Sequence, residues 1–377
     1  METLLLNKSE GPLVSVVIPF YNHVEVTLAC LASFARNDPK VSYEVIVIDD
    51  ASPEDVSRVA AVKWIKYVRN ETNLGFLRTC NAAAKIATGK YICFLNNDTE
   101  VEAGWLEALV EVAEADPKVG IVGSALIYPD GSLQEAGGVL WSDGDGCNIG
   151  RNGKVDDPAF LFTRPVDYCS GASILVPRAV FEQVGYFDER YVPAYCEDSD
   201  LAMTMRANGF KVMYEPRSKV VHHEGVSSGT DLGAGIKQYQ VDNSIKLREK
   251  WKGVLSAHAP HDLDLRFLAS TRLAGRPRLL LLSPALGEDY ASSRLWGLVK
   301  AARQSGCFIT WMAFSGVLPA PLVADARRMG IEVYPRYVPT SDDPLTKERL
   351  KSAEAIFAWG ADALVLAEEL SSAYSHL

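Results

Sequence analysis

Val14-Ser15-Val16-Val17-Ile18-Pro19 is a short β-branched run stopped by proline, the texture of a parallel strand buried on both faces. The same texture returns at Glu44-Val45-Ile46-Val47-Ile48-Asp49 and at Tyr91-Ile92-Cys93-Phe94-Leu95. Between these runs lie helix-like segments, 24–35, 53–61 and 75–88. The second opens with Ser52 placed to cap and Pro53 suited to a first turn. Strand alternating with helix predicts an α/β fold, a doubly wound and mostly parallel sheet. Such sheets bind ligands beyond the carboxyl ends of their strands. Tyr21, Asn22, Asp49, Asp50, Asn97 and Asp98 all fall just past strand ends, so one crevice is expected to gather them.

Working outward, residues 126–167 turn rich in Gly, Asp and Asn and read as long loops or a hairpin over that crevice. Asp143-Gly144-Asp145-Gly146 has the texture of a calcium loop but lacks the other ligand positions and the closing Glu, which favours a solvated turn. Beyond Trp251 a mixture of Gly, Pro, His and charge marks 253–277 as a linker or short helices. Arg278-Leu279-Leu280-Leu281-Leu282-Ser283-Pro284 then starts a new buried strand, followed by a helix (292–305), a strand (307–313), a helix (320–329) and a strand at 331–334. The expected organisation is a nucleotide-fold domain over 1–252, a linker over 253–277 and a smaller α/β unit over 278–377 that reads as incomplete.

At 377 residues the chain exceeds the usual size of one domain. Its formal charge of −10 and lack of a dense basic stretch argue against nucleic acid as partner. The first ten residues lack the pattern of a signal peptide, and no segment approaches a membrane span. Seven cysteines without C-x-x-C spacing disfavour zinc and a disulfide framework. Small buried thiols in a reduced, cytoplasmic compartment fit best.

The chemistry concentrates in Glu197-Asp198-Ser199-Asp200, three carboxylates in four positions beside an apolar helical stretch, followed by His222-His223. Asp200 and Arg206 are expected to form a structural ion pair.

In order, Pro19-Phe20-Tyr21-Asn22, Asp49-Asp50-Ala51-Ser52, Asn73-Leu74-Gly75-Phe76 with Asn81, Leu95-Asn96-Asn97-Asp98-Thr99, Ser170-Gly171-Ala172, Gly185-Tyr186-Phe187-Asp188-Glu189, Glu197-Asp198-Ser199-Asp200-Leu201 and His222 resemble the family 2 glycosyltransferases of GT-A fold. Each motif alone is weak. Their order over roughly residues 14–250 is specific.

The resemblance implies an inverting transferase that moves a sugar from a UDP- or dTDP-sugar to a hydroxyl of a saccharide or lipid-linked acceptor in bacterial surface-polysaccharide synthesis, at the cytosolic membrane face. It implies a donor site from Pro19, Tyr21, Asn22, Asp50, Asn73, Gly75, Asn81 and Asn97, with Asp50 accepting the ring N–H of a pyrimidine. Asp49 is read as a helix-proximal cap. A divalent metal, Mn2+ or Mg2+, is expected on Asp98 and His222, where it would offset charge growing on the diphosphate. His222 is preferred over His223 for its position relative to Gly225 and Ser227. Asn96 and Asn97 replace carboxylates of the family's Asp-x-Asp motif, which predicts modest metal affinity. Asp198 is the expected general base, with Glu197 raising its basicity or binding acceptor. Ser170, Gly171 and Ala172 are expected on the acceptor side, where glycine permits close approach.

Two other readings stand beside this one. A nicotinamide-dependent dehydrogenase needs Gly-x-Gly-x-x-Gly after the first strand, where this chain has Pro19-Phe20-Tyr21-Asn22-His23. A sugar-nucleotide-binding module without turnover draws support from Asn96. The unit from about 277 loosely resembles the start of a GT-B transferase's N-terminal half, and a docking appendage is the equal alternative.

Overall fold

The computed structural model describes residues 11–225, 239–262, 265–272, 275–374 and 376. They form two compact units. The first takes the chain up to Val155 and Pro165–Asp262; the second takes Asp156–Arg164 and Leu263–Leu377.

In the first unit, β1 (Val14–Phe20) is buried at every position and pairs in parallel with β2 (Tyr43–Asp49) and β4 (Tyr91–Leu95), while β3 (Ile65–Arg69) extends the parallel set beside β2. Because β1, β2 and β4 are covered on both faces, β-branched and aromatic residues fill them almost continuously, whereas β3 is part-exposed and carries Lys66 and Arg69. Four helices follow in sequence, α1 (Val24–Arg36), α2 (Ser57–Ala60), α3 (Phe76–Ile86) and α4 (Trp105–Ala115). The core packs Val16, Ile18, Val45 and Val47 of the sheet with Leu31 and Phe34 of α1 and Trp105 and Leu109 of α4.

Beyond β4 the sheet becomes mixed. Short β5 (Thr99–Val101) is followed by β6 (Val119–Ile127), β7 (Ser132–Glu135), a separate hairpin of β8 (Gly138–Leu140) and β9 (Gly146–Asn148), then β10 (Gly153–Lys154) and β11 (Arg164–Pro165). Next, β12 (Ser173–Pro177) runs antiparallel to β4 and β6, and after α5 (Arg178–Gln183) and α6 (Glu197–Ala207) the long β13 (Lys211–His222) pairs with β6 and, antiparallel, with β5. That last pairing sets His222 opposite Thr99. Residues remote in sequence meet there. Helix α7 (Tyr239–Leu255) closes this unit.

Three local expectations change. The helix expected over 53–61 is only the single turn α2, and Ser52 does not cap it: its hydroxyl accepts the N–H of Asn22 at 2.7 Å. The 126–167 stretch, read as loops or a hairpin, carries paired strands, and its residues 156–164 belong to the second unit, where Phe162 packs on Phe267 and Phe308. Asp200 does not pair with Arg206. Its carboxylate takes Tyr191 Oη at 2.9 Å, Trp251 Nε1 at 2.7 Å and Lys250 Nζ at 2.7 Å, whereas Arg206 bonds Asp167 at 2.9 Å. A fully buried carboxylate needs several donors at once, and α7 brings two of them from fifty residues away.

In the second unit, α8 (Arg266–Ser270) precedes β14 (Arg278–Pro284), α9 (Arg294–Gln304), β15 (Phe308–Ser315), α10 (Ala320–Arg328), β16 (Glu332–Tyr334), α11 (Pro344–Ser352), β17 (Ala355–Ala358) and α12 (Ala361–Ser371). The strands are all parallel in the order β16-β15-β14-β17. That is a doubly wound pattern. The sequence reading lacks α11, β17 and α12, because a four-residue strand with alternating exposure gives little periodic signal. Inside, Arg349 and Glu332 form a buried, doubly bonded ion pair, with Tyr334 and Thr310 donating to the same carboxylate.

Candidate active site

At the carboxyl ends of β1 and β4 lies a cavity of about 250 Å³, lined by Pro19, Asn97, Asp98, Ser170, Gly171, Ala172, Glu197, Asp198 and His222, with Phe76, Asn96, Tyr195 and Glu224 among the rest. Nine expected site residues therefore share one wall. The others do not line it.

Asp50 is 4% exposed, and its carboxylate is engaged by the chain: Oδ1 accepts Asn70 Nδ2 at 2.8 Å and Leu74 N–H at 2.8 Å, and Oδ2 accepts Gly75 N–H at 2.9 Å. Its evident work is to hold the 73–75 turn, with one acceptor position on Oδ2 left over. Asn73 joins in through Oδ1, 3.2 Å from Gly75 N. Gly75 has φ of +80°, and a Cβ there would meet Pro193 at 3.1 Å, so glycine is required twice over. Asn81 departs furthest from its expected donor role: both ends of its amide are spent on the Phe187 backbone, at 2.9 and 3.0 Å. Asn22, in the left-handed region, donates its N–H to Ser52, and Tyr21 is 44% exposed. Asp49 accepts Ser52 N–H, Tyr67 Oη and Arg69, a structural role near the cap that was expected.

Asp98 and His222 face each other through the β5–β13 pairing, with Nε2 3.4 Å from Oδ1. The histidine's tautomer follows from its neighbours. Gln134 donates Nε2 to the Glu224 carboxylate at 3.1 Å, so its Oε1 is the atom 2.9 Å from His222 Nδ1. An amide oxygen only accepts, so Nδ1 carries a hydrogen and Nε2 is the ring nitrogen turned toward Asp98. Nε2 and Asp98 Oδ1 oppose each other across 3.4 Å, and Asp98 Oδ1 and Asn96 Oδ1 are buried without hydrogen-bond partners among the described residues. This donor set of carboxylate, amide oxygen and imidazole fits a divalent cation such as Mn2+. His223 is diverted to the surface, 3.1 Å from Glu100. Ser227, used to choose between the two histidines, lies outside the described residues. Elsewhere, Asp143, Asp145 and His261 bring three ligand atoms within 4.8 Å, but all are exposed and Asp145 is paired with Arg248, as suits a solvated turn.

The carboxylate cluster opens α6 after two consecutive residues of positive φ, Tyr195 and Cys196. Backbone held in that region is strained and commonly marks a functional turn. Asp198 accepts Gly171 N–H through Oδ2 at 3.1 Å and Ser199 N–H through Oδ1 at 2.6 Å, and burial raises its pKa. Glu197 is more deeply buried, with Oε2 unpartnered among the described residues, and burial followed by the Asp198 charge pushes it up to about 8. Glu197 therefore holds a proton at neutral pH, and the two amides that Asp198 accepts favour its charged form against the burial that raises it.

Gln134, Glu135 and Glu224 were missed by sequence reasoning. Gln134 and Glu135 sit on β7 inside the stretch read as long loops or a hairpin, and a four-residue strand after Asp130-Gly131 was the available signal. Glu135 is fully buried; desolvation pushes it up to about 8, against the Ser170 N–H that lowers it, with Asp198 and Glu224 raising it and Arg151 opposing them. In the unfolded chain such a group ionises near 4.5. Between 4.5 and 8 the folded state thus binds more protons, and stability is full below the lower value and falls as pH rises through the upper. Stability is expected to fall from pH 5.5 to pH 8.5 by up to about 3 kcal/mol for Glu135, read as a falling thermal midpoint, and Glu135→Gln should flatten that slope. A midpoint that rises over this range, or a slope the variant leaves intact, would show that Glu135 is ionised in the fold.

Residues 15–185 match the model described as Glycosyl transferase family 2. The chain is 30% identical over 231 residues to the O-antigen biosynthesis protein RfbC of Myxococcus xanthus, covering 58% of this chain and 18% of that one. To the N-acetylglucosaminyl-diphospho-decaprenol L-rhamnosyltransferase of Mycobacterium tuberculosis it is 26% identical over 300 residues, 72% of this chain and 93% of the other. An uncharacterized protein of Sinorhizobium fredii, y4gI, is 29% identical over 58% of this chain and 25% of its own length; this chain thus spans a quarter or less of two of these relatives. The crystal structure of GalNAc-T7 with UDP, GalNAc and Mn2+ superposes with a TM-score of 0.51 at 19% identity, over 67% of this chain and 49% of that one, a likeness of fold.

Proposed function

Residues 15–185 carry a glycosyl transferase family 2 domain, and on that premise we propose that the first unit transfers a sugar from a UDP- or dTDP-sugar to a hydroxyl of a saccharide or lipid-linked acceptor, with inversion. The observation that carries this reading is the single cavity in which Asp198 and the Asp98–His222 pair meet. Asp98, His222 and Asn96 would hold a divalent cation. Bound there, such an ion supplies positive charge to the leaving diphosphate.

The chain's own residues do the rest. Gly171 N–H and the amide of Ser199 fix the Asp198 carboxylate. Asp198 accepts the proton of the acceptor hydroxyl as that oxygen forms its bond to the anomeric carbon, and the bond from that carbon to the nucleoside diphosphate breaks on the opposite face. Glu197, protonated, places no second charge directly beside Asp198. Pro19, Tyr21, Asn22, Asn73 and Gly75 stand on the donor side, and Asp50 acts mainly by holding their turn, its remaining acceptor position being what favours a uracil or thymine ring.

A relative named for a diphospho-decaprenol substrate supports a lipid-linked acceptor, and one named for O-antigen biosynthesis supports a place in polysaccharide synthesis. Among the described residues no helix is long and apolar enough to cross a membrane. The test is incubation of the full chain and Mn2+ with a panel of UDP-, dTDP-, GDP- and CDP-sugars, reading nucleoside diphosphate release. Release confined to UDP or dTDP donors is expected; tightest use of GDP or CDP donors would overturn the donor assignment. Asn96, standing where the family has a carboxylate, favours a second reading as a binding module, and nucleotide binding without any release would establish it.

A further inference from the structure

A second cavity, of about 650 Å³, meets the first along Ser170, Tyr195, Asp198 and Glu224 and extends to Glu135, Asn148, Tyr168 and Gln240. Asp198 stands at the seam of the two. Successive backbone amides tie the wall together: Ser170 N–H donates to Glu135 Oε1 at 2.8 Å, and Gly171 N–H donates to Asp198 Oδ2 at 3.1 Å. Two carboxyl groups, one from β7 and one from α6, are thus held by neighbouring amides of one turn, line one cavity and act on each other electrostatically.

Their states differ. Glu135 Oε2 is buried and has no hydrogen-bond partner among the described residues, a condition that a native fold rarely leaves without reason. Pushed up to about 8 by burial, the carboxyl is protonated at neutral pH. Since Oε1 accepts the Ser170 amide, the hydrogen sits on Oε2, which makes it a donor beside the acceptor Asp198. The charged groups acting on it are Asp198, Glu224 and Arg151. Arg151 is bonded to Glu224 at 2.8 Å and so is already neutralised, and Tyr168 Oη donates to Asn148 at 2.8 Å. Such a lining suits a neutral polyol and offers little to a phosphate.

We propose that Glu135 binds the acceptor sugar, holding the hydroxyl next to the one that Asp198 deprotonates, so that the acceptor must present two neighbouring hydroxyls on one ring. This rests on the transferase reading above. Oε2–H donates to the neighbouring hydroxyl oxygen, orienting the ring so that the reacting hydroxyl points at Asp198 Oδ atoms. No bond to Glu135 is made or broken.

The test uses the full chain with Mn2+, a UDP- or dTDP-sugar that it hydrolyses, and octyl glycosides of glucose, rhamnose and N-acetylglucosamine with their monodeoxy analogues. The readouts are the acceptor KM and the partition of donor between glycoside and water. Glu135→Ala should raise the acceptor KM about tenfold, the scale of one lost hydrogen bond, and shift partition toward water by the same factor. Glu135→Gln, whose amide can both accept from Ser170 and donate, should lie within about threefold of wild type. The acceptor lacking the neighbouring hydroxyl should show the raised KM with wild type and no further rise with Glu135→Ala. Loss of transfer and hydrolysis in equal measure at constant acceptor KM, or losses from variant and deoxy acceptor that simply add, would reduce Glu135 to a prop for the 170–171 turn and overturn the proposal. Failure of the wild type to hydrolyse any sugar nucleotide would instead bring down the transferase reading itself.

Discussion

Asp198→Asn is expected to lower sugar transfer by about 10²-fold or more while UDP still binds, because a general base contributes on that scale and an amide cannot take a proton. The geometry refines the expectation. Both carboxylate oxygens of Asp198 accept backbone N–H groups, from Gly171 and Ser199, and asparagine can satisfy only one of them with its oxygen. Part of the loss will therefore come from a displaced 170–171 turn. A pH profile separates the contributions: the acidic limb set by the ionisation of Asp198 should vanish in the variant, whereas a displaced turn would lower the whole profile without changing its shape. Turnover within a few fold of wild type would remove Asp198 from the role of base.

The second large effect is expected at the Asp98–His222 pair. Asp98→Ala should abolish the gain in UDP affinity that Mn2+ confers, leaving binding of the nucleoside alone little altered, since Asp98 makes no hydrogen bond to the 73–75 turn, which Asp50 holds instead. With Asn96 and Asn97 in the motif, the site has few charged ligands to spare, so one substitution should suffice. Gln134→Leu provides an independent measure. It removes the acceptor that keeps hydrogen on His222 Nδ1, and loss of such a partner typically weakens metal affinity 10- to 100-fold. Mn2+ titration by calorimetry, with and without UDP, reads both variants. If chelation leaves wild-type UDP binding and turnover as they were, the pair serves no metal.

The parallel strands were legible because burial on both faces writes itself into consecutive residues: Val14 to Phe20 admits almost no polar side chain. The carboxylate helix was legible for the opposite reason, since Glu197, Asp198 and Asp200 in a first turn are costly to bury without a task. Roles that depend on direction were not. Asp50 and Asn81 both stand where donor contacts were expected, yet one side chain turns to the Leu74 and Gly75 amides and the other to the Phe187 backbone. A carboxylate or amide at a strand end can face a crevice or stitch a loop, and its residue type is the same in both cases.

By itself, the sequence determined that the chain holds an α/β domain followed by a smaller α/β unit, and it singled out the carboxylates of 197–200 as unusual, because hydrophobic periodicity and charge clustering are local properties of the chain. Tertiary structure alone decided which polar groups meet. Asp98 and His222 are joined by the pairing of β5 with β13, and Glu135 joins Asp198 through amides of a turn that belongs to neither. Strand pairing and side-chain direction over such separations depend on how the whole core packs, and a window of neighbouring residues contains no term for them.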